Sequence, residues 1–249
     1  MIPRVAGRLL AVGLAVYALT SAFSISVSTL ALRAALAGGL VLGFGRRGLP
    51  VERALVLAVR LFLTVRGIAG VCALDVGRGL RAFSDEWPYL ILFAIPLLDD
   101  RVLRREHLLR LLAVAVCVAG AYALVQHFVG IDYIRGRPLG HPHGRYRAVA
   151  FFSHHLTWGG FALVAALFFA GLRPPARRDR VLFGVTAILA FLGLLVTYAR
   201  GPLLGLVAGL GVYLVVRRRG WGLVLAAALV LAGALVVTPG LLSRCLLYT

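Results

Sequence analysis

Apolar residues come in long unbroken runs, and short charged segments cut them at nearly regular intervals. The first run, LLAVGLAVYALTSAFS over 9–24, is followed within a few residues by a second over 29–44. Further runs cover 54–74, 86–98, 108–129, 148–171, 181–199, 202–216 and 221–238, which makes nine. At 1.5 Å per residue a helix needs about 20 apolar residues to cross the hydrocarbon core of a bilayer. Several fall short of that length, especially the fourth, the eighth and the second. The links between them are brief and no internal repeat is evident. The pattern therefore predicts an all-α, polytopic membrane protein of about nine transmembrane helices, packed as an up-down bundle. Its transmembrane helical domain is expected to take in residues 1–244.

The N-terminus, with Arg4 and Arg8 ahead of an apolar stretch, has the form of a signal peptide. A second apolar segment follows so closely, and the chain stays so apolar, that it reads as a retained first span. Composition agrees. The 249 residues are 61% hydrophobic and 14% charged, with a mean hydropathy of +0.94. A soluble domain could not hide that much apolar surface.

The formal charge of +18 would suggest a nucleic-acid partner in a soluble chain. Here it follows from topology, because cytoplasmic loops of membrane proteins collect basic residues, and no nucleic acid is expected. All 27 basic residues are Arg, a coding bias of a GC-rich source. Cys72, Cys117 and Cys245 have no paired spacing, so neither a disulfide framework nor a metal cluster is expected. Cys72 and Cys117 lie in apolar runs and read as small buried hydrophobes.

The arginines fix an orientation. One face takes Arg4, Arg8, Arg46, Arg47, Arg53, the groups at 101–110, 173–180 and 217–219, sixteen in all. The opposite face takes Arg78, Arg81, Arg135, Arg137, Arg145, Arg147, Arg200 and Arg244, eight in all. The side with sixteen is predicted to be cytoplasmic, and with it the N-terminus. Arg33, Arg60 and Arg66 fall inside spans, where a charge must snorkel, pair or serve a site. Arg33 and Arg60 lie close enough to an end to snorkel; Arg66 lies nearer the outer half and is the more interesting of the three.

Four of the outward arginines share one loop, GIDYIRGRPLGHPHGRYR, residues 130–147. Its Gly and Pro content argues against a regular helix. With Asp132 counted and His neutral, its net charge is about +3 at neutral pH. A solvated basic loop lying over anionic head groups is one reading. An anion site is the other, since Arg keeps its charge and offers a planar fork that matches phosphate oxygens. Arg147 directly precedes the apolar AVAFF, which sets its guanidinium at the membrane rim near the start of the sixth span. There the unpaired N–H groups and the helix dipole also favour an anion.

Arg200, in VTYARGPLLG, interrupts a second apolar run on the same side. Gly201 and Pro202 end one helix there and start the next. Arg200 is either an interfacial anchor beside Tyr198 or a second cation for the same anion. With Arg147 at the rim, His154 and His155 are expected about two turns into the span. They either touch a bound sugar or carrier, or hydrogen-bond between helices beside Ser153 and Thr157.

RAVAFFSHHLTWGG, followed after a basic loop by TYARGPLLGL and preceded by YALVQHFVGID at 122–132, resembles the core of the O-antigen ligase and polymerase superfamily. The resemblance covers about residues 85–240, in short motifs spread over apolar sequence. It implies a bundle of the GT-C glycosyltransferase type in a bacterial inner membrane. It also implies transfer of a glycan, without metal or other cofactor, from an undecaprenyl-diphosphate carrier at the periplasmic face. In ligases the acceptor is the lipid A core; relatives extend the glycan itself or glycosylate protein. The 130–147 loop would then be periplasmic. Arg147 matches the arginine that opens the family's R-x-x-G-x-F segment, and Arg200 that of its S-R-G. Both would hold the donor diphosphate as it leaves, with Arg145, Arg135, His154, His155 and Tyr198 as further substrate contacts. Ala150 stands where the pattern has Gly and Ala199 where it has Ser, which changes the local hydrogen bonding but removes no charge.

The family's large periplasmic loop, with the histidine proposed as base, follows the span that here ends near Val237. TPGLLSR is expected to open that loop. CLLYT, residues 245–249, can be encoded by TGTCTCTTATACACA of a sequencing-library adapter, so it is expected to be a non-native tail and the chain a fragment inactive alone. The alternative function is a non-enzymatic transporter of an anionic lipid or solute. Such a protein would carry its charges at mid-membrane in broken helices, whereas these collect at one rim.

Overall fold

The computed structural model describes residues 2–44, 53–72, 75–84, 87–99, 102–140 and 146–216. The predicted span at 221–238, the tail at 245–249, Arg145, His141 and His143 lie outside the described residues. What is described is mostly helical. Two helical stretches, Ser26–Gly43 and Arg105–Val129, are long and apolar enough to cross a membrane, and Val5–Thr20 and His155–Gly171 are apolar but shorter.

The chain divides into two compact units, residues 1–112 and 113–249. In the first, α1 (Ile2–Thr20) and α2 (Ile25–Phe44) form a hairpin. Small residues let their backbones approach. A Cβ placed on Gly38 would lie 2.7 Å from the Ala6 carbonyl oxygen and 2.8 Å from the Leu10 nitrogen. Such close contact through small residues is the usual way apolar helices gain dispersion energy in lipid. Leu10, Leu14, Leu32 and Ala35 form the core of this unit with Ile91, Ala94, Leu97 and Leu98.

Those last residues come from the predicted fourth span, 86–98, which is not one helix. It runs as 3-10 turns at Trp87–Leu90 and Ile95–Leu97 around the four-residue α5 (Ile91–Ala94). Pro96 accounts for the break between α5 and the second 3-10 turn, since it removes a backbone donor and clashes with a preceding carbonyl. The same unit holds α3 (Arg53–Val71) and α4 (Val76–Ser84). The short amphipathic α4 falls between two predicted spans, because its Arg78 and Arg81 hide it from a search for apolar runs. Cys72, expected to be buried, is exposed at the end of α3. Arg33, Arg60 and Arg66 are all exposed.

The second unit takes in the greater part of α6 (Arg105–Val129), α7 (His155–Gly171), α8 (Arg177–Leu195) and α9 (Arg200–Val216). Between α6 and α7 lies a two-stranded antiparallel hairpin, β1 (Ile131–Asp132) and β2 (Arg137–Pro138). Trp158 of α7 is fully buried and donates to the Gly193 carbonyl of α8 at 3.1 Å. Cys117 is half-buried, its Sγ 3.1 Å from Thr186 Oγ1. Where the sixth span is predicted from 148, the helix begins only at His155; the eight residues from Arg147 to His154 are irregular.

Candidate anion-binding site

Gly130 ends α6 with φ +79°, in the left-handed region that Gly enters without penalty, and its missing side chain leaves a seat for the ring of Tyr146. The chain then turns through the hairpin, and its Asp132 is fully buried. Three elements converge on that carboxylate. From α6, Tyr122 Oη donates at 3.1 Å and Gln126 Nε2 at 3.4 Å. From the turn, Arg135 forms an ion pair at 2.9 Å. From β2, Arg137 Nε lies 3.7 Å away. Burial alone would raise the Asp132 pKa. The hydrogen bonds from Arg135 and Tyr122, together with the Arg135 charge, outweigh that and hold it below its ordinary value.

The same donors reach the irregular segment before α7. Arg135 Nη2 donates to Phe151 O at 2.7 Å and Arg137 Nη2 to Ser153 O at 3.0 Å. Gln126 donates to Ala150 O and accepts from Val149 N–H, both at 3.0 Å. His127 Nδ1 lies 2.8 Å from Tyr146 O, and the Tyr122 ring stacks on Phe151 at 4.7 Å. Ala150 is held at φ +48°, unfavourable for a residue with a Cβ, so these contacts over-determine the backbone. Ala148 N–H donates to Val196 O at 3.1 Å, which ties this segment to the turn that leads into α9.

A cavity of about 320 Å³ opens beside the segment, walled by Arg137, Gly140, Arg147, Val149 and His155 with Pro138 and Leu139. Arg147 N–H donates to Gly140 O at 2.9 Å, which sets the backbone. Its side-chain Nε is buried and has no hydrogen-bond partner among the described residues. Leaving a buried donor unmade costs about 1–3 kcal/mol, and more when the group is charged.

The structure thus brings Arg147 and His155 together at one cavity. His154 is not two turns into a helix: it caps α7, its Nδ1 accepting from Leu156 N–H at 3.2 Å, and His155 is the first residue of that helix. Both sit so far out because the contacts of Gln126, Arg135 and Arg137 with residues 149–153 replace the helical bonds predicted there. Arg135 is held by Asp132 and Phe151. Arg200 is the exposed first residue of α9 and does not line the cavity. Beside it, Tyr198 is held at φ +52° with its ring 5.9 Å from that of His127. The sequence reading missed Tyr122, Gln126 and Asp132 as parts of the site, and Arg137 as a wall of the cavity. A hint was available: Tyr122 and Gln126 stand four apart, on one helical face, in an otherwise apolar run.

Comparison with models of protein families, with curated proteins and with solved structures finds no match to this chain.

Proposed function

We propose that this chain is a multi-pass glycosyltransferase of the O-antigen ligase and polymerase type, at the periplasmic face of a bacterial inner membrane. It binds an undecaprenyl-diphosphate-linked glycan and passes the glycan to the lipid A core, to another glycan or to protein. The observation that carries this reading is the Arg147 guanidinium, its buried Nε without a partner among the described residues, in the wall of a cavity that Arg137 and His155 share. A phosphate oxygen is the ligand that satisfies such a group, in charge and in hydrogen bonding. The membrane location is supported by the two long apolar helices and by α3. Its Leu57, Leu61, Val65 and Ile68 are 56–68% exposed along one stripe, a surface that suits lipid better than water.

The chemistry needs little more than fixed positive charge. The acceptor hydroxyl oxygen attacks the anomeric carbon, the bond from that carbon to the diphosphate oxygen breaks, and its electron pair stays on the diphosphate. The hydroxyl proton passes to a base, which the resemblance places downstream of the described residues. Cations that fit the diphosphate better as its charge grows lower the barrier by several kcal/mol. Arg147 does this from the cavity wall, and Arg200, the exposed first residue of α9, is assigned to the carrier outside that wall.

The test is donor binding, which does not depend on the acceptor. With the protein in phosphatidylcholine nanodiscs, Arg147→Ala is expected to weaken binding of undecaprenyl-diphosphate-linked glycan about tenfold to a hundredfold, with insertion unchanged. Unchanged binding after Arg147→Ala and Arg200→Ala together overturns the proposal.

A further inference from the structure

We infer that Arg137 is a second cation of the anion site and that Asp132 is the residue that positions it. This rests on the reading of the cavity as a diphosphate site and adds to it a residue that the sequence motifs do not single out. Arg137 sits on β2, ten residues ahead of Arg147, yet both line the same cavity. Its guanidinium is tethered at two points, Nη2 to Ser153 O at 3.0 Å and Nε beside Asp132 at 3.7 Å. Its side chain nevertheless stays 48% exposed, so donors remain for a ligand.

The neighbouring Arg135 shows what the arrangement selects. It takes the shorter contact with Asp132, at 2.9 Å, and donates to Phe151, but it is absent from the cavity wall. One buried carboxylate therefore sorts two arginines: Arg135 braces the backbone, and Arg137 is turned to the cavity. The fully buried Asp132 has Tyr122 and Gln126 to fix its own orientation, so the direction it imposes is rigid. Two guanidiniums on one cavity suit two linked phosphates, because each planar fork can grip a separate phosphoryl group. A single guanidinium would serve a monophosphate almost as well.

That difference gives the test. Protein in phosphatidylcholine nanodiscs is titrated with undecaprenyl diphosphate and, separately, with undecaprenyl monophosphate. For the unaltered protein the diphosphate should bind at least tenfold more tightly. Arg137→Ala should remove most of that preference while monophosphate binding falls no more than about threefold, and Arg137→Lys should restore part of it. Asp132→Asn should reduce the preference in the same direction, although it leaves both arginines in place. A merely structural role for Arg137 would lower both affinities together and leave the ratio unchanged, which overturns the inference. If Arg147→Ala weakens both ligands while Arg137→Ala and Asp132→Asn leave the preference intact, the diphosphate site stands and this assignment fails. If Arg147→Ala changes neither affinity, the reading of the cavity fails with it.

Discussion

The described residues of the first unit hold together helix on helix through small and apolar side chains, whereas those of the second, up to residue 216, are organised around buried polar groups. Among the described residues, Ser28 is the one buried polar side chain of the first unit, while the second buries Gln126, Asp132, Asp179, Thr186 and Thr197. The cavities differ in kind as well. The first unit has one of about 370 Å³, lined by Leu36, Leu40, Phe93 and other apolar groups. The smaller one in the second unit is walled by two arginines and a histidine. Apolar packing is non-directional and tolerates any partner of suitable shape. A buried hydrogen-bond network is directional, and every member must be satisfied. The first arrangement fixes shape alone; the second also fixes the direction of each polar group.

The contrast can be broken from either side. The largest effect is expected from Gly38→Val, which forces α1 and α2 apart where a Cβ meets the Ala6 and Leu10 backbone. Overpacking of this sort should cost about 3 kcal/mol, read as a lower midpoint of unfolding in detergent. Next comes Asp132→Ala, which leaves Arg135 and Arg137 without their carboxylate. Removing one partner of a buried pair costs 3–5 kcal/mol, but the Arg135 side chain is 30% exposed, so about 2 kcal/mol is expected. Hydrogen exchange should quicken at residues 146–154 and stay unchanged in α1 and α2; uniform quickening would erase the distinction between the units. Trp158→Phe should cost about 1 kcal/mol through the lost bond to Gly193, seen in exchange along α7 and α8.

Acidification is the gentlest probe. The Asp132 pKa is lowered in the folded chain, so its contribution to stability is complete above the ordinary value of 3.8 and is lost as pH falls through the folded value. Between pH 7 and 5, exchange at residues 146–154 should not change with Asp132 protonation; below pH 3.8 it should rise there first. A rise already complete at pH 5 would mean that the carboxylate is not held as described.

Apolar runs made most of the helices legible, because a continuous run of this length has few other solutions. The predicted spans at 29–44, 54–74, 108–129, 181–199 and 202–216 each overlap a helix closely. One failure has a cause that lies far off in sequence. Residues 148–154 are apolar enough for a helix, but Gln126, Arg135 and Arg137 claim their backbone groups from about fifteen to twenty-five residues away, and nothing local reports that. Arg147 was legible because a charge at an apolar boundary needs a reason. Arg137 was passed over in favour of Arg135, because the contacts that turn Arg135 to Asp132 and Phe151 and leave Arg137 at the cavity are not local in sequence.

Gly140 and Tyr146 leave a further opening. The Gly140 carbonyl accepts from Arg147 N–H, the Tyr146 ring rests on Gly130, and Leu139 N–H donates to Gly130 O at 2.9 Å. Both stems of the stretch numbered 141–145 are therefore fastened on their own account. Lengthening a loop whose ends are already joined adds little closure entropy, about 0.6 kcal/mol per doubling. An epitope tag or protease site spliced in at that point would report which compartment the loop faces while Arg147 keeps its place.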